Sequence, residues 1–145
     1  MDKDSLQSQP IDSLHLTEDG VPTFIPVVCD YICKLSKTQG VFRVNGNKNT
    51  IQRLYHIFNH PQCAVPPFCV VHDIAGFIKN WLITLTEPII VPSVFNEYFK
   101  EDDEKSVDEV FRHLPTINRK CLAYILNAVN EVYKNASSNQ MTISN

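Results

Sequence analysis

Hydrophobic residues recur along most of the chain at the spacing of an amphipathic α-helix, in which side chains three and four positions apart share a face. One such stripe runs from Phe24 to Leu35, a second from Ile51 to Phe58, and a third from Ile74 to Leu85. A last long stripe runs from Leu122 to Tyr133. Alternation with period two, which would indicate β-strands, is nowhere convincing. The pattern therefore predicts an all-α fold with one core.

Two shorter helices are predicted between the third stripe and the last. The first runs from Ser93 to about Lys100, and the acidic stretch EDDEK follows it as a loop. Ser106 and Glu109 have the spacing of a capping box, in which each side chain accepts a backbone N–H of the first helical turn. We therefore expect the second short helix to be capped by Ser106.

The first 19 residues differ from the rest of the chain. They carry Ser, Gln, Pro and Asp without helical period, which is typical of a flexible leader. A length of 145 residues suits one domain, and no internal repeat is visible. We therefore predict a flexible leader over residues 1–19 and a single domain over residues 20–145.

Composition and charge exclude several classes of function. The formal net charge is −3 and no cluster of Lys or Arg occurs, so binding to nucleic-acid phosphates is not indicated. No apolar run is long enough to span a bilayer, and the polar N-terminus does not resemble a secretory signal. Five cysteines without a compact framework favour a reducing compartment. We expect a cytoplasmic protein, whose association with a membrane surface would depend on parts outside this sequence.

A metal site is not expected. His56, His60 and Cys63 have the spacing H-x3-H-x2-C, but the proline after His60 interrupts the helix and no C-x2-C pair exists. Structural zinc sites usually have closer pairs of ligands. These side chains are better explained as surface histidines and a buried thiol.

No self-contained active site is indicated either. Cys29 and Cys33 are one helical turn apart, which is the ordinary spacing of two buried thiols. The chain has only four glycines, too few for a nucleotide-binding loop, and no motif of a serine hydrolase or metalloprotease occurs. We therefore do not expect the chain to be an enzyme by itself.

The stretch QGVFRVNG, residues 39–46, separates the first two helical stripes. It places Arg43 in an apolar run with glycines three positions before and after it. A turn with a solvent-facing arginine would explain this pattern, and so would a loop that presents Arg43 to a partner. Lys79 lies five positions after Ile74, about 140° from it around the helix, so it faces away from the apolar stripe. Ile83 is one turn further along the same exposed face.

Five stretches resemble, in the correct order, the motifs of the Rho-type GTPase-activating (RhoGAP) domain. They are DGVPTFIPVVCDYI, QGVFRVNGNKNTIQRL, HDIAGFIKNWLITLTEPII, LPTINRKCLAYILNAV and NQMTISN. The match runs from residue 20 to residue 145. The resemblance implies an all-α, single-domain RhoGAP-like helical bundle.

The resemblance also implies a function. The arginine finger of the family aligns with Arg43, which would enter the nucleotide site of a Rho-family small GTPase (Rho, Rac or Cdc42 type) and stimulate GTP hydrolysis. The chain would need no cofactor, because GTP and magnesium belong to the partner. Support for the finger loop would come from Gly40, Phe42 and Gly46.

The interface residues of the family are carried over in the same way. Its conserved lysine aligns with Lys79, and the asparagine that steadies the finger and touches the partner aligns with Asn145. Asn118 is expected to be structural.

Two departures from the family pattern matter. The arginine that usually follows the interface lysine by four residues is replaced by Ile83, and LPEP reads LTEP. The alternative function is therefore a catalytically weak or inactive module that binds a GTPase or another partner as a scaffold. Asn145 aligns with the start of a further apolar helix, so the resemblance implies a domain that lacks its last helices and exposes an apolar face.

Overall fold

The computed structural model describes residues 5–135, which contain six α-helices and no β-strand. The all-α prediction is confirmed. A short 3-10 helix at Ile11–Ser13 and an isolated bridge between Leu16 and Pro22 precede the first α-helix. The α-helices are α1 (Phe24–Lys34), α2 (Lys48–Ile57), α3 (Val71–Thr84), α4 (Pro92–Tyr98), α5 (Lys105–His113) and α6 (Thr116–Lys134).

The start of α5 differs from the prediction. The helix begins at Lys105, and Ser106 lies inside its first turn with a buried side chain. The hydroxyl of Ser106 donates to the carbonyl oxygens of Asp103 and Lys100 and accepts the N–H of Lys100. The capping box of Ser106 and Glu109 is therefore wrong. Ser106 instead joins the two ends of the loop between α4 and α5, because its hydroxyl binds backbone groups three to six residues earlier in the chain.

The core is centred on α3 and α1. Helix α1 packs against α6 and α3, and α2 packs against α3. The ring of Phe24 meets Phe77 and Trp81 edge-on at centroid distances of 5.6 and 5.1 Å, a favoured aromatic geometry. Because Phe77 and Trp81 lie one turn apart in α3, burying them turns the opposite face of this helix towards solvent. That exposed face carries Lys79 and Ile83.

The N-terminal segment is part of the packed molecule. Leu6 and Leu14 are only 2% and 6% exposed and belong to the core, and the N–H of Leu6 donates to the carbonyl of Tyr55 at 2.9 Å. The prediction of a flexible leader is therefore wrong for the part of residues 1–19 that the structure describes. Its two leucines are buried from irregular backbone, so they leave no helical period in the sequence.

Helix α6 carries an exposed apolar strip. Leu126, Val129 and Tyr133 lie on one side of this helix and each is more than two-fifths exposed. Asn145 lies outside the described residues. Within residues 5–135, no helix combines the length and the hydropathy that a membrane span requires.

Candidate functional site

The predicted arginine loop connects α1 to α2. It turns at Gly40, whose φ of +79° lies in the left-handed region that favours glycine. The carbonyl of Gly40 accepts the N–H groups of Arg43 and Val44, each at 2.8 Å. This tight turn places Arg43 at the surface with an exposed side chain.

Two apolar residues before the arginine hold the loop to the core. Val41 is fully buried, and Phe42 is partly buried against the core cluster. Phe42 has a φ of +72°, an uncommon conformation for a bulky residue that persists only where the surroundings enforce it. The chain therefore turns at Phe42, so that Phe42 packs against the core while the next side chain, Arg43, is exposed.

The second glycine brings the end of the loop against α3. A Cβ on Gly46 would lie 2.6 Å from the carbonyl oxygen of His72 and 2.7 Å from the Cα of Asp73. Both atoms are backbone and cannot rotate aside. Gly46 is therefore required by close approach rather than by its φ.

Helix α3 contacts the loop through two side chains. Lys79 is exposed, as predicted, and its Nζ donates to the carbonyl oxygen of Phe42 at 2.8 Å. Asp73 is only 5% exposed, and its Oδ1 accepts the N–H of Asn47 at 2.8 Å. The backbone on both sides of Arg43 is thus hydrogen-bonded to one rigid helix.

Sequence reasoning missed Asp73. A signal was available, because Asp73 lies four positions before Phe77 and therefore on the apolar face of α3. A carboxylate on a buried face requires hydrogen-bond donors, which points to nearby backbone N–H groups.

An open groove lies at the surface beside the loop, with one wall formed by the loop and another by the exposed face of α3. Its lining includes Lys48 and Lys79, with no acidic side chain among the residues that line it. Val44 and Ile83 add exposed apolar surface, and Ile83 is 79% exposed. The groove can therefore accept a partner surface that combines carboxylates with an apolar side chain.

The structure brings most of the predicted site residues together. Gly40, Phe42 and Gly46 shape the loop that carries Arg43, and Lys79 binds its backbone. Ile83 lies in the adjoining groove. Asn118 is buried, and its Nδ2 donates to the carbonyl oxygen of Ile89 at 2.8 Å, as expected for a structural residue.

The other candidate side chains are engaged elsewhere. Burial raises the pKa of Cys29 to about 12, so it remains a neutral thiol at physiological pH. Burial raises the pKa of Cys121, which the sequence did not single out, to about 12 as well. Cys63 lies within hydrogen-bond reach of Thr23 and of backbone carbonyls, and His60 pairs with the backbone of Gln62. Among residues 5–135, no group of three or more His, Cys, Asp or Glu side chains is placed to hold a metal ion.

Comparisons with known proteins identify the family. The model of the RhoGAP domain matches residues 22–145, so the chain belongs to the RhoGAP family. The crystal structure of human Rho GTPase activating protein 15 superposes with a TM-score of 0.79 at 25% sequence identity, covering 97% of this chain and 72% of that one. The fold is therefore the all-α RhoGAP fold.

Similar curated proteins carry related names. GTPase activating protein homolog 3 of Dictyostelium discoideum is 33% identical over 75% of this chain, and Rho GTPase-activating protein 35 of Mus musculus is 27% identical over 94%. The chain spans only 8% and 10% of the lengths of these two relatives. Both relatives are named as GTPase activating proteins.

Proposed function

We propose that the chain stimulates GTP hydrolysis by a Rho-family small GTPase of the Rho, Rac or Cdc42 type, with Arg43 as an arginine finger. The observation that carries this proposal is the exposed Arg43, presented on a loop whose backbone α3 holds on both sides. The chain itself would bind neither GTP nor magnesium, which belong to the partner.

Arg43 would act by neutralising charge. Negative charge spreads over the phosphoryl oxygens as the bond to the leaving group breaks, and a guanidinium supplied in trans stabilises it. Arginine suits this role because its donors form a planar fork, whereas the ammonium of lysine is a point charge.

Lys79 would serve both the loop and the partner. Its bond to the carbonyl of Phe42 uses one of the three donors of an ammonium group. The remaining donors face solvent, where they can meet a carboxylate or carbonyl of the GTPase. Asn145, which the family resemblance also assigns to the interface, stays a prediction, as does the cytoplasmic location.

The decisive experiment compares Arg43→Ala with the unaltered protein on a panel of Rho, Rac and Cdc42. Phosphate release is measured at saturating activator, and binding to each GTP-loaded GTPase is measured separately. We expect Arg43→Ala to lower the stimulated rate by about 10³–10⁵ while binding persists. Arg43→Lys should recover only a small part of that rate.

Arg112→Ala is the matched control, because Arg112 is an exposed arginine on α5 that pairs with Glu109 and lies outside the site. It should retain the full stimulated rate. Equal rates for Arg43→Ala and the unaltered protein would contradict the finger assignment.

The second candidate function is a module that binds a GTPase without activating it. The exposed Ile83 favours it, because the family usually has an arginine at this position and a lost interface charge can weaken a complex. Binding to a GTP-loaded GTPase without a rate gain would select this function.

A further inference from the structure

Asp73 has two hydrogen-bonding partners that belong to different parts of the molecule. Its Oδ2 accepts the N–H of Val70 at 3.0 Å, which caps the start of α3. Its Oδ1 accepts the N–H of Asn47 at 2.8 Å, 26 residues earlier in the sequence. The first bond is explained by the helix itself, because an acidic side chain in the first turn satisfies free N–H groups. The second bond is not required by α3.

The bond to Asn47 is well protected. Asp73 is 5% exposed, and a buried carboxylate is costly unless N–H groups satisfy it. Gly46 also packs directly against the backbone of His72 and Asp73, so the end of the loop lies in close contact with α3. The loop end and the helix are therefore fixed to each other by a charge-assisted hydrogen bond and by steric fit.

We propose that Asp73 is a positioning residue for the arginine finger, which sets the direction of Arg43 by fixing the end of its loop to α3. The same helix carries Lys79, which holds the other side of the loop at Phe42. The expected effect of Asp73 on GTP hydrolysis rests on the proposed function. The hydrogen bond between Asp73 and the loop can be tested without a GTPase.

The first test is amide hydrogen exchange of the free protein with Asp73→Asn. An amide side chain has one carbonyl oxygen, so it cannot accept both N–H groups in the geometry of a carboxylate. We expect exchange at the amides of Asn47, Arg43 and Val44 to accelerate about tenfold or more, while the amides of α6 keep their rates. Unchanged exchange in the loop would overturn the proposal, whether or not the protein activates any GTPase.

The second test separates rate from affinity with a GTPase that the unaltered protein stimulates. We expect Asp73→Asn to lower the maximal stimulated rate about 10- to 100-fold, because catalysis depends steeply on the placement of the guanidinium. Affinity for the GTP-loaded partner should change by less than about threefold, as expected for an interaction that acts in the transition state. Equal losses of rate and affinity would overturn the positioning role.

A pair of substitutions at Asn47 isolates the loop bond without altering Asp73. Asn47→Ala removes the side chain that accepts the N–H of Thr50 but keeps the backbone N–H. Asn47→Pro also removes the backbone N–H of residue 47, which donates to Asp73. Proline can adopt the φ of −74° found at this position. We expect the proline variant to have a maximal rate about tenfold below that of the alanine variant. Equal rates for the two variants would overturn the proposal.

If the unaltered protein stimulates no GTPase, the proposed function fails, and hydrogen exchange still decides whether Asp73 holds the loop. If stimulation is normal and Asp73→Asn has no effect on rate or exchange, only the positioning role fails.

Discussion

At the scale of single residues, the finger loop depends on an uncommon backbone conformation at two positions and on close backbone contact at a third. Gly40 and Phe42 both have positive φ, and Gly46 lies against the backbone of α3. The family motif predicted that the two glycines support the loop. It did not predict the left-handed conformation of Phe42, because a phenylalanine at such a position is unfavourable by itself and is enforced by packing.

We predict that Gly46→Ala destabilises the protein by about 1–3 kcal/mol, because the added Cβ must displace the backbone of His72 or Asp73. Urea denaturation measures this loss. The stimulated GTPase rate should also fall, since the loop end moves.

Gly20→Ala serves as the control for Gly46→Ala. Gly20 has a φ of +80° but open space around it, so alanine there adds backbone strain of about 1–2 kcal/mol and leaves the loop intact. A full rate in both variants would contradict the role of Gly46.

At the scale of helices, the packing of α1 against α6 determines the chemistry of two thiols. Cys29 of α1 and Cys121 of α6 are both buried, and burial raises the pKa of each from 9.0 to about 12. The sequence predicted a buried thiol at Cys29 from its helical position. The size of the shift depends on how closely the second helix covers it.

The two thiols make alkaline pH destabilising. Below about pH 9 they are neutral in both the folded and the unfolded chain, so they add no pH dependence there. Between about pH 9 and 12 the unfolded chain loses protons that the folded chain retains, so the free energy of unfolding falls as pH rises. In that window we expect each thiol to lower the free energy of unfolding by about 1 kcal/mol per pH unit.

Denaturation curves at pH 7.5, 9 and 10.5 would measure this effect. These values lie below, at and above about pH 9, where the thiol of an unfolded chain titrates. The control is a double variant with Cys29→Ala and Cys121→Ala, which removes both thiols. Its stability should decline less steeply above pH 9 than that of the unaltered protein. Parallel curves would show that the thiols do not cause the decline.

At the scale of the whole molecule, the N-terminal segment and the helices form one packed unit. Leu6 and Leu14 enter the core, and the Nζ of Lys120 on α6 donates to the carbonyl oxygen of Asp19. Residues 5–19 therefore contribute to the stability of the domain that carries the finger loop.

We predict that Leu6→Ala lowers the free energy of unfolding by about 2–5 kcal/mol, because it leaves a cavity in the core. Leu16→Ala makes the same chemical change at an exposed position of the same segment and should cost no more than about 0.5 kcal/mol. Thermal denaturation distinguishes the two variants. A Leu6→Ala protein as stable as Leu16→Ala would show that the segment is not part of the core in solution.

The sequence by itself determined the helices and the outward direction of Lys79. Each of these features is encoded by neighbours three or four positions apart, so the periodicity of one segment is sufficient to reveal it. The motif around Arg43 likewise identified the loop and its two glycines, because the family resemblance is carried by contiguous residues.

Only the tertiary structure decided what joins distant segments. The hydrogen bond from Asn47 to Asp73 spans 26 residues, and the bond from Lys79 to Phe42 spans 37. The packing of Leu6 against the core is equally non-local. Such contacts follow from the way the helices pack together rather than from local propensity, so no pattern within one segment reports them. We propose that the two hydrogen bonds between the loop and α3 set the direction of Arg43.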